Sequence, residues 1–355
     1  MASQQDINSL LATAVPDISA QEAERLATDL YGLDAVATEL KGERDRNFHL
    51  RTRDGGHFVL KVSNPAEDPE VTRFQTRALV HIEARDPRLS VPRVVRTREG
   101  AAEALLARPG EEPRIVRILT YLQGEPLHRA LHSPAQRRNL GACLARLDLA
   151  LQGFTHPASG HELMWDLKHA ARVRDLLAYI ADEGRRALAT GFLDAFERHA
   201  LPLMSKLRAQ IIHNDMNPHN VLVLAHAPHE IAGIIDFGDA VHAPLVNDLA
   251  VAAAYQMSDA GHPLDGPGDM VAGYHAVLPL EPAEIDILFD LLATRMVLTV
   301  AISNWRAARY LENRDYILRN NPKAWAGLER LQGLSREEAQ AYLHRICQGT
   351  KPSCP

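Results

Sequence analysis

Cysteine is scarce in this chain: Cys143, Cys347 and Cys354 are the three in 355 residues, with no close pair and no CxxC spacing. A disulfide framework and a thiolate zinc site are excluded on that ground, and the three are read as reduced thiols. Basic tracts are missing too. With no run of five Lys or Arg and a net charge of −6, neither nucleic acid nor an anionic membrane surface is expected as a partner. No apolar run approaches the roughly 18 residues of a membrane span. The opening "MASQQDINSLLATAVPD" lacks the basic flank and apolar centre of a signal peptide, so a cytoplasmic location is expected. Internal repeats and low-complexity segments are absent as well.

What is present is an ordinary globular composition, 46% apolar and 24% charged. The length exceeds what one compact core usually serves, which predicts two lobes. "SAQEAERLATDLYG" opens on Ser19 with Glu22 three residues later and closes on Gly32, the capping pattern of a helix of about three turns. "AVATEL", "NFHLRT" and "HFVLKVS" then predict an antiparallel meander, with "RDGG" as the second turn. "PEVTRFQTRALVHIEA" carries apolar residues at helical spacing, and strands follow in "SVPRVV" and "RIVRILTYL". From Pro126 the pattern is mostly helical, as in "SPAQRRNLGACLARLDLALQ" and "LDAFERHALPLMSKLRAQ". The exceptions are short strands at 211–212, 221–224 and 231–236. The expected class is α+β, with a β-rich lobe in residues 1–122, its leading helix included, and a mainly helical lobe in 123–355.

Those short strands carry the chemistry. "HNDMNPHNVLV" (213–223) places His213, Asp215 and Asn220 at the mouth of one strand, and "IIDFGD" ends another at Asp236. A strand, tight turn and strand between them would bring Asp215, Asn220 and Asp236 together. Two carboxylates and an amide oxygen are hard ligands of the kind that hold Mg²⁺ together with phosphate oxygens and water. The set therefore reads as a Mg-nucleotide site. Asp215, earliest in the loop, is the carboxylate left to orient and deprotonate an attacking hydroxyl. Taken singly, "NDMNPHN" is also what a turn requires. His213, His219, His226 and His229 lack zinc-ligand spacing.

Jointly, H-x-D-x-x-x-x-N followed by I-D-F-G-D resembles the catalytic and metal-binding segments of the aminoglycoside phosphotransferase and choline kinase superfamily, relatives of protein kinases. The resemblance implies a protein-kinase-like two-lobed fold, with a small antiparallel β lobe and a large mainly helical one. It implies Asp215 as catalytic aspartate, His213 as a brace of its loop, Asn220 and Asp236 as metal ligands, and Asp239 as their support. "GERDRNFHL" sits where such kinases fold over the phosphates, which points to Arg44 and Asn47. Lys61 in "FVLKVS" resembles the lysine that reaches the α- and β-phosphates. "RILTYLQGEPL" resembles the hinge, where backbone groups of Thr120 to Leu122 would meet the base. Nothing there selects ATP over GTP. Where these kinases carry a glutamate to pair with the lysine, this chain has Gln75. Either Glu70 or Glu83 substitutes for it, or the lysine is held more loosely.

Within that superfamily, "ERDRNFHLRT", "GFTHPASGHELMWDL" and "RMVLTVAISNWRAARYLENRDYILRNNPKAW" look most like the hydroxylysine kinase branch. The last of these places Arg295, Thr299 and Ser303 at four-residue steps, a polar stripe on an apolar helix. The stripe is expected to line an acceptor cleft, with Arg295 on a carboxylate and Asp166 or Asp239 on an ammonium. The function expected is transfer of the γ-phosphoryl group of ATP or GTP, with Mg²⁺, to the hydroxyl of a small amine or amino acid, first of all 5-hydroxylysine. The alternatives are another acceptor (an aminoglycoside, choline, ethanolamine, homoserine) or a nucleotide-binding regulatory protein without turnover. The oligomeric state is not legible.

Overall fold

The computed structural model of the protein describes residues 16–349 except Lys41, Glu43 and Glu111. Two compact units emerge. One takes the described residues up to Gln123 together with Phe154–Glu162 and Gly233–Gly238, and the other takes the rest.

The first unit is built on a mixed-length antiparallel sheet. Its strands are β1 (Ala35–Leu40), β2 (Arg46–Thr52), β3 (His57–Val62), β4 (Val94–Val95), β5 (Ala104–Leu106) and β6 (Arg114–Thr120), in the order β1-β2-β3-β6-β4 with β5 also on β6. The predicted meander is present, and the "RDGG" turn closes with Thr52 N–H donating to the Gly56 carbonyl at 3.0 Å. Gly55 there has φ 88°, a conformation that a side chain would resist.

Helix α1 (Ala20–Tyr31) packs on this sheet because Ala23, Ala27 and Tyr31 share one face and meet Phe48, Leu50, Leu60, Val62, Val116 and Ile118. Its caps follow the sequence in part. Ser19 Oγ accepts from Glu22 N–H at 3.2 Å and Gly32 takes φ 70°. Glu22 does not complete the box: its carboxylate pairs with Arg108. Helix α2 (Pro69–Arg85) is capped by Asp68 and buries Phe74, Gln75, Ala78 and Ile82.

The second unit is mainly helical: α3 (Pro134–Leu151), α4 (Glu183–Ala195), α5 (Val246–Ala254), α6 (Asp265–Val277), α7 (Pro282–Arg309), α8 (Asn321–Leu331) and α9 (Arg336–Gly349). Helices α3 and α6 approach until backbone meets backbone. A Cβ at Gly141 would lie 2.0 Å from the Met270 carbonyl oxygen, and one at Gly273 1.9 Å from that of Arg138. Helix α7 starts with Pro282 and a reciprocal capping box between Glu281 and Glu284, and it is buried almost continuously from Glu284 to Ser303.

Short strands frame the polar loops: β7 (Glu125–Pro126), β8 (Ala209–Ile212), β9 (Val221–Leu224), β10 (Ala227–Ile234) and β11 (Val241–Pro244), in the orders β10-β9-β7 and β11-β8. Two elements depart from expectation. Residues 209–210 join strand β8 rather than the preceding helix, which ends in a π turn over Phe196–Ala200 and one short turn over Leu201–Met204. Strand β11 ends in Pro244, a residue that reads against a strand yet is tolerated where pairing runs to one side. No helix among the described residues is long and apolar enough to cross a membrane.

Candidate active site

In the first unit the centre of charge is Lys61. Its place on β3, opposite Asn47 on β2, brings its Nζ 3.6 Å from Asp45 Oδ2 and 4.0 Å from Asp236 Oδ1. Asp45 lies in the turn before β2, where its Oδ1 accepts from Asn64 N–H at 3.3 Å while Asn64 Nδ2 donates to the Arg44 carbonyl at 3.2 Å. The turn carrying Arg44 is thus tied to the end of the lysine strand. Asn47 Oδ1 is buried with no hydrogen-bond partner among the described residues.

The glutamate substitute is therefore none of the three expected. Gln75 is buried in α2, accepts from Arg117 Nη2 at 2.5 Å and donates to the Gly238 carbonyl at 3.3 Å. A neutral amide satisfies both neighbours, which a carboxylate could not. Glu70 pairs with Arg73 on the surface and Glu83 is exposed. The lysine's partners are Asp45 and Asp236. Nearby Glu67 is buried, and that burial, then the Asp45 charge, push its carboxyl up.

The hinge also differs from expectation. Thr120 N–H donates to the Arg93 carbonyl at 2.9 Å and Tyr121 N–H to the His57 carbonyl at 3.1 Å, so neither N–H is offered to a base, which leaves their carbonyls for that contact. Of the N–H groups of 120–122, that of Leu122 is left for a base.

Asp236 has φ 63°, and so has Asn214 in the other motif. A non-glycine residue in this region carries strain of about 1 kcal/mol, least for Asn and Asp. At Asp236 the turn is closed by Gly238 N–H donating to Asp236 Oδ1 at 3.1 Å, and the carboxylate stays half exposed.

In the second unit the loop between β8 and β9 is held from below by Asp248 in the first turn of α5. Its two oxygens accept from His213 N–H and Asn214 N–H, each at 2.8 Å. Asp148 stands behind, taking the Tyr274 hydroxyl on Oδ2 at 2.6 Å. Burial and then the charge of Asp248 push the Asp148 carboxyl well above the usual range; burial raises Asp248 too, against the lowering effect of His213 and of the two amides. His213 is wholly buried, and its Nδ1 accepts from Asp215 N–H at 3.2 Å.

Asp215 itself is fixed from two sides. Oδ2 accepts from Asn217 Nδ2 at 2.9 Å and Asn220 Nδ2 at 2.8 Å, and Oδ1 accepts from Arg295 Nη2 at 3.2 Å. Asn220 Nδ2 also donates to the Asp215 carbonyl at 3.0 Å, which turns the amide so that Oδ1 is the atom left to bind a ligand. His219 rests on the ring of His128 at 4.1 Å, and burial followed by that neighbour lowers its pKa to about 4.

The acceptor stripe is corrected by packing. Thr299 and Ser303 are buried, with Thr299 Oγ1 donating to the Arg295 carbonyl at 3.0 Å and the Ser303 hydroxyl against the Thr299 carbonyl and Asn321 Oδ1. Such polar groups inside an apolar bundle spend their hydrogen bonds on the helix and on its neighbour Asn321. Asp166 is fully buried as an N-cap: it accepts from Lys168 N–H at 2.9 Å and faces Lys168 Nζ at 3.2 Å, so its charge is already balanced. Asp239 is buried, close enough to Arg295 to act on its charge. Arg295 is 2% exposed and bonded to Asp215, Tyr255 and the Trp165 carbonyl.

Sequence reading missed Asp45, Asp148, Asp248, Tyr255 and Tyr274. Asp248 had a signal, an acid in the first turn of a helix just after "IDFGD"; the others meet partners 16 to 126 residues away, which no local pattern encodes.

A model of the family described as "Phosphotransferase enzyme family" matches residues 37–280. The chain is similar to hydroxylysine kinase of Danio rerio, 28% identical over 92% of this chain and 94% of the relative. It is 31% identical to homoserine kinase of Azorhizobium caulinodans over 73% of this chain and 77% of the relative. Among solved structures it shares its fold with a microcompartment-associated aminopropanol kinase, with a TM-score of 0.69 and 20% identity over 92% of this chain and all of that one. The kinase-like fold agrees with the expected one, and the reading as a regulatory protein without turnover is set aside. The chain belongs to the phosphotransferase enzyme family, as a small-molecule kinase that places a phosphoryl group on an alcohol.

Proposed function

We propose that this kinase transfers the γ-phosphoryl group of ATP or GTP to the hydroxyl of 5-hydroxylysine. The observation that carries the acceptor is coverage: likeness to proteins named hydroxylysine kinase runs through 92% of the chain, whereas likeness to homoserine kinase covers 73%. Acceptor pockets are built from the less constrained part of a fold, so similarity that extends past the catalytic motifs speaks to the substrate. The higher local identity to homoserine kinase supports homoserine as second reading.

Asp215 is assigned to orient the acceptor hydroxyl and take its proton. In a loose transition state with charge on the phosphoryl oxygens, orientation matters more than basicity. Lys61 is assigned to the α- and β-phosphates, with Arg44 and Asn47 near the same phosphates and Leu122 toward the base.

Asn220 and Asp236 are assigned to Mg²⁺, with Asp239 in support. Their chemistry fits: one amide oxygen turned outward by the bonds of its own nitrogen, and one half-exposed carboxylate. Bound there, the ion would neutralise charge on the phosphate oxygens.

The test is nucleoside diphosphate release across a panel of 5-hydroxy-L-lysine, L-homoserine, ethanolamine, 1-amino-2-propanol and choline, with ATP and GTP in parallel. The highest kcat/KM is expected for 5-hydroxylysine. A higher value for homoserine would replace the first reading by the second.

A further inference from the structure

The middle of α7 carries a cation in an otherwise apolar helix. Arg295 is 2% exposed, and a buried guanidinium persists only where charge and hydrogen bonds compensate its lost hydration. The compensation comes from separate parts of the second unit. Arg295 Nη1 donates to the Trp165 carbonyl at 3.0 Å, and Nη2 donates to Asp215 Oδ1 and Tyr255 Oη, each at 3.2 Å. Its carbon lies 5.4 Å from the Trp165 ring and 5.8 Å from the Tyr255 ring, within cation–π reach of both. Asp239 adds a second negative charge nearby.

We propose that Arg295 is a positioning residue for the reaction: it fixes the plane of the Asp215 carboxylate, and it does not bind the acceptor's carboxylate. This rests on Asp215 being the group that orients the acceptor hydroxyl. Asn217 and Asn220 fasten Oδ2, and both belong to the same short loop. Arg295 fastens Oδ1 from a 28-residue helix buried on nearly every side, so the carboxylate is referenced to the rigid core of the unit rather than to its own loop. Held at both oxygens, the group cannot rotate about its last bond. The planar, two-pronged guanidinium can bridge Asp215, Tyr255 and Trp165 together, which an ammonium cannot.

The experiment compares the full-length wild type with Arg295→Met, Arg295→Lys, Asp215→Asn and the Asp215→Asn/Arg295→Met double variant. Arg295→Met is expected to lower kcat about 100-fold, the usual loss for a misplaced group, with the KM of nucleotide and of acceptor nearly unmoved. Arg295→Lys should fall between. In the Asp215→Asn background Arg295→Met should cost little more. If Arg295→Met does not fold, Arg295→Lys carries the test, with kcat lowered while the KM of nucleotide and of acceptor hold. Unchanged kcat in the Arg295 variants, or full multiplicative losses in the double variant, would show that the two residues act apart and overturn the proposal. A KM rise confined to carboxylated acceptors would restore the clamp role instead. Wild-type turnover by Asp215→Asn would remove the reading of Asp215 itself.

Discussion

Lys61 and Asp45 form an ion pair, Nζ to Oδ2 3.6 Å, between the third strand and the turn before the second, where the expected partner was a residue of α2. Both side chains are largely buried, 16% and 12% exposed, so the pair is less screened than a surface one. If Asp45 orients the lysine for the donor's phosphates, Asp45→Asn should raise the nucleotide KM on the order of tenfold, as expected for one charge-assisted contact, with a smaller effect on kcat. Gln75→Ala should do the opposite. It leaves Arg117 buried without its acceptor and should cost about 1–3 kcal/mol of stability in urea unfolding while the nucleotide KM holds. Similar nucleotide KM values in the two variants would reduce Asp45 to a fastener of its turn.

Asp148 predicts a pH dependence of stability. It is buried, and its carboxyl is pushed well above the usual 3.8 by burial and by Asp248. For an acid whose folded value is raised, the folded state holds the proton that the unfolded state gives up. Stability contributed by this group is therefore present at low pH and declines as pH rises from about 3.8 toward the folded value. Asp148→Asn keeps an acceptor for Tyr274 and has no proton to lose. Its stability relative to wild type should rise steadily between pH 4 and 7 in urea titrations. Parallel curves for the two proteins would contradict the assignment.

The kinase fold and the loop residues were legible because each is encoded locally. Ser19 and Gly32 cap their helix, alternation gives the meander, and the spacing from His213 to Asp236 marks two strand ends. What stayed hidden depends on partners remote in sequence. Gln75 gave no sign that it serves Arg117 rather than Lys61, since any buried polar residue on a helix looks alike until its neighbour is known. The stripe of Arg295, Thr299 and Ser303 was misjudged for a related reason. Polar residues at helical spacing imply a wet face only if the flanks are dry, and α7 is dry all round, with two hydroxyls turned onto its own carbonyls.

The glycines of two helices predict opposite effects of one substitution. Gly141→Ala would drive a methyl group to 2.0 Å from the Met270 carbonyl oxygen, and backbone cannot yield as a side chain end can. A loss of about 3 kcal/mol or more is expected, at the upper end for overpacking. Gly191 in α4 is exposed and has nothing within 4 Å of a built Cβ, so Gly191→Ala should gain about 0.5–1 kcal/mol through the unfolded chain. Thermal melts of the two variants beside wild type check both signs.

The metal assignment predicts a split between carboxylates that a sequence comparison would treat alike. Asp236 is half exposed, with one oxygen turned to Gly238 N–H and to Lys61, whereas both oxygens of Asp215 are taken by Asn217, Asn220 and Arg295. A carboxylate so engaged is a poor ligand for an ion that tolerates little distortion. Asp236→Asn should therefore raise the Mg²⁺ concentration needed for half-maximal nucleotide binding by about tenfold or more in calorimetry. Asp215→Asn should leave that titration nearly unchanged while abolishing most turnover. Asn220→Ala should show both defects, because the same side chain offers Oδ1 outward and fastens Asp215 through Nδ2. Loss of Mg²⁺-dependent binding in Asp215→Asn equal to that in Asp236→Asn would place Asp215 on the metal and leave the acceptor hydroxyl without its assigned base.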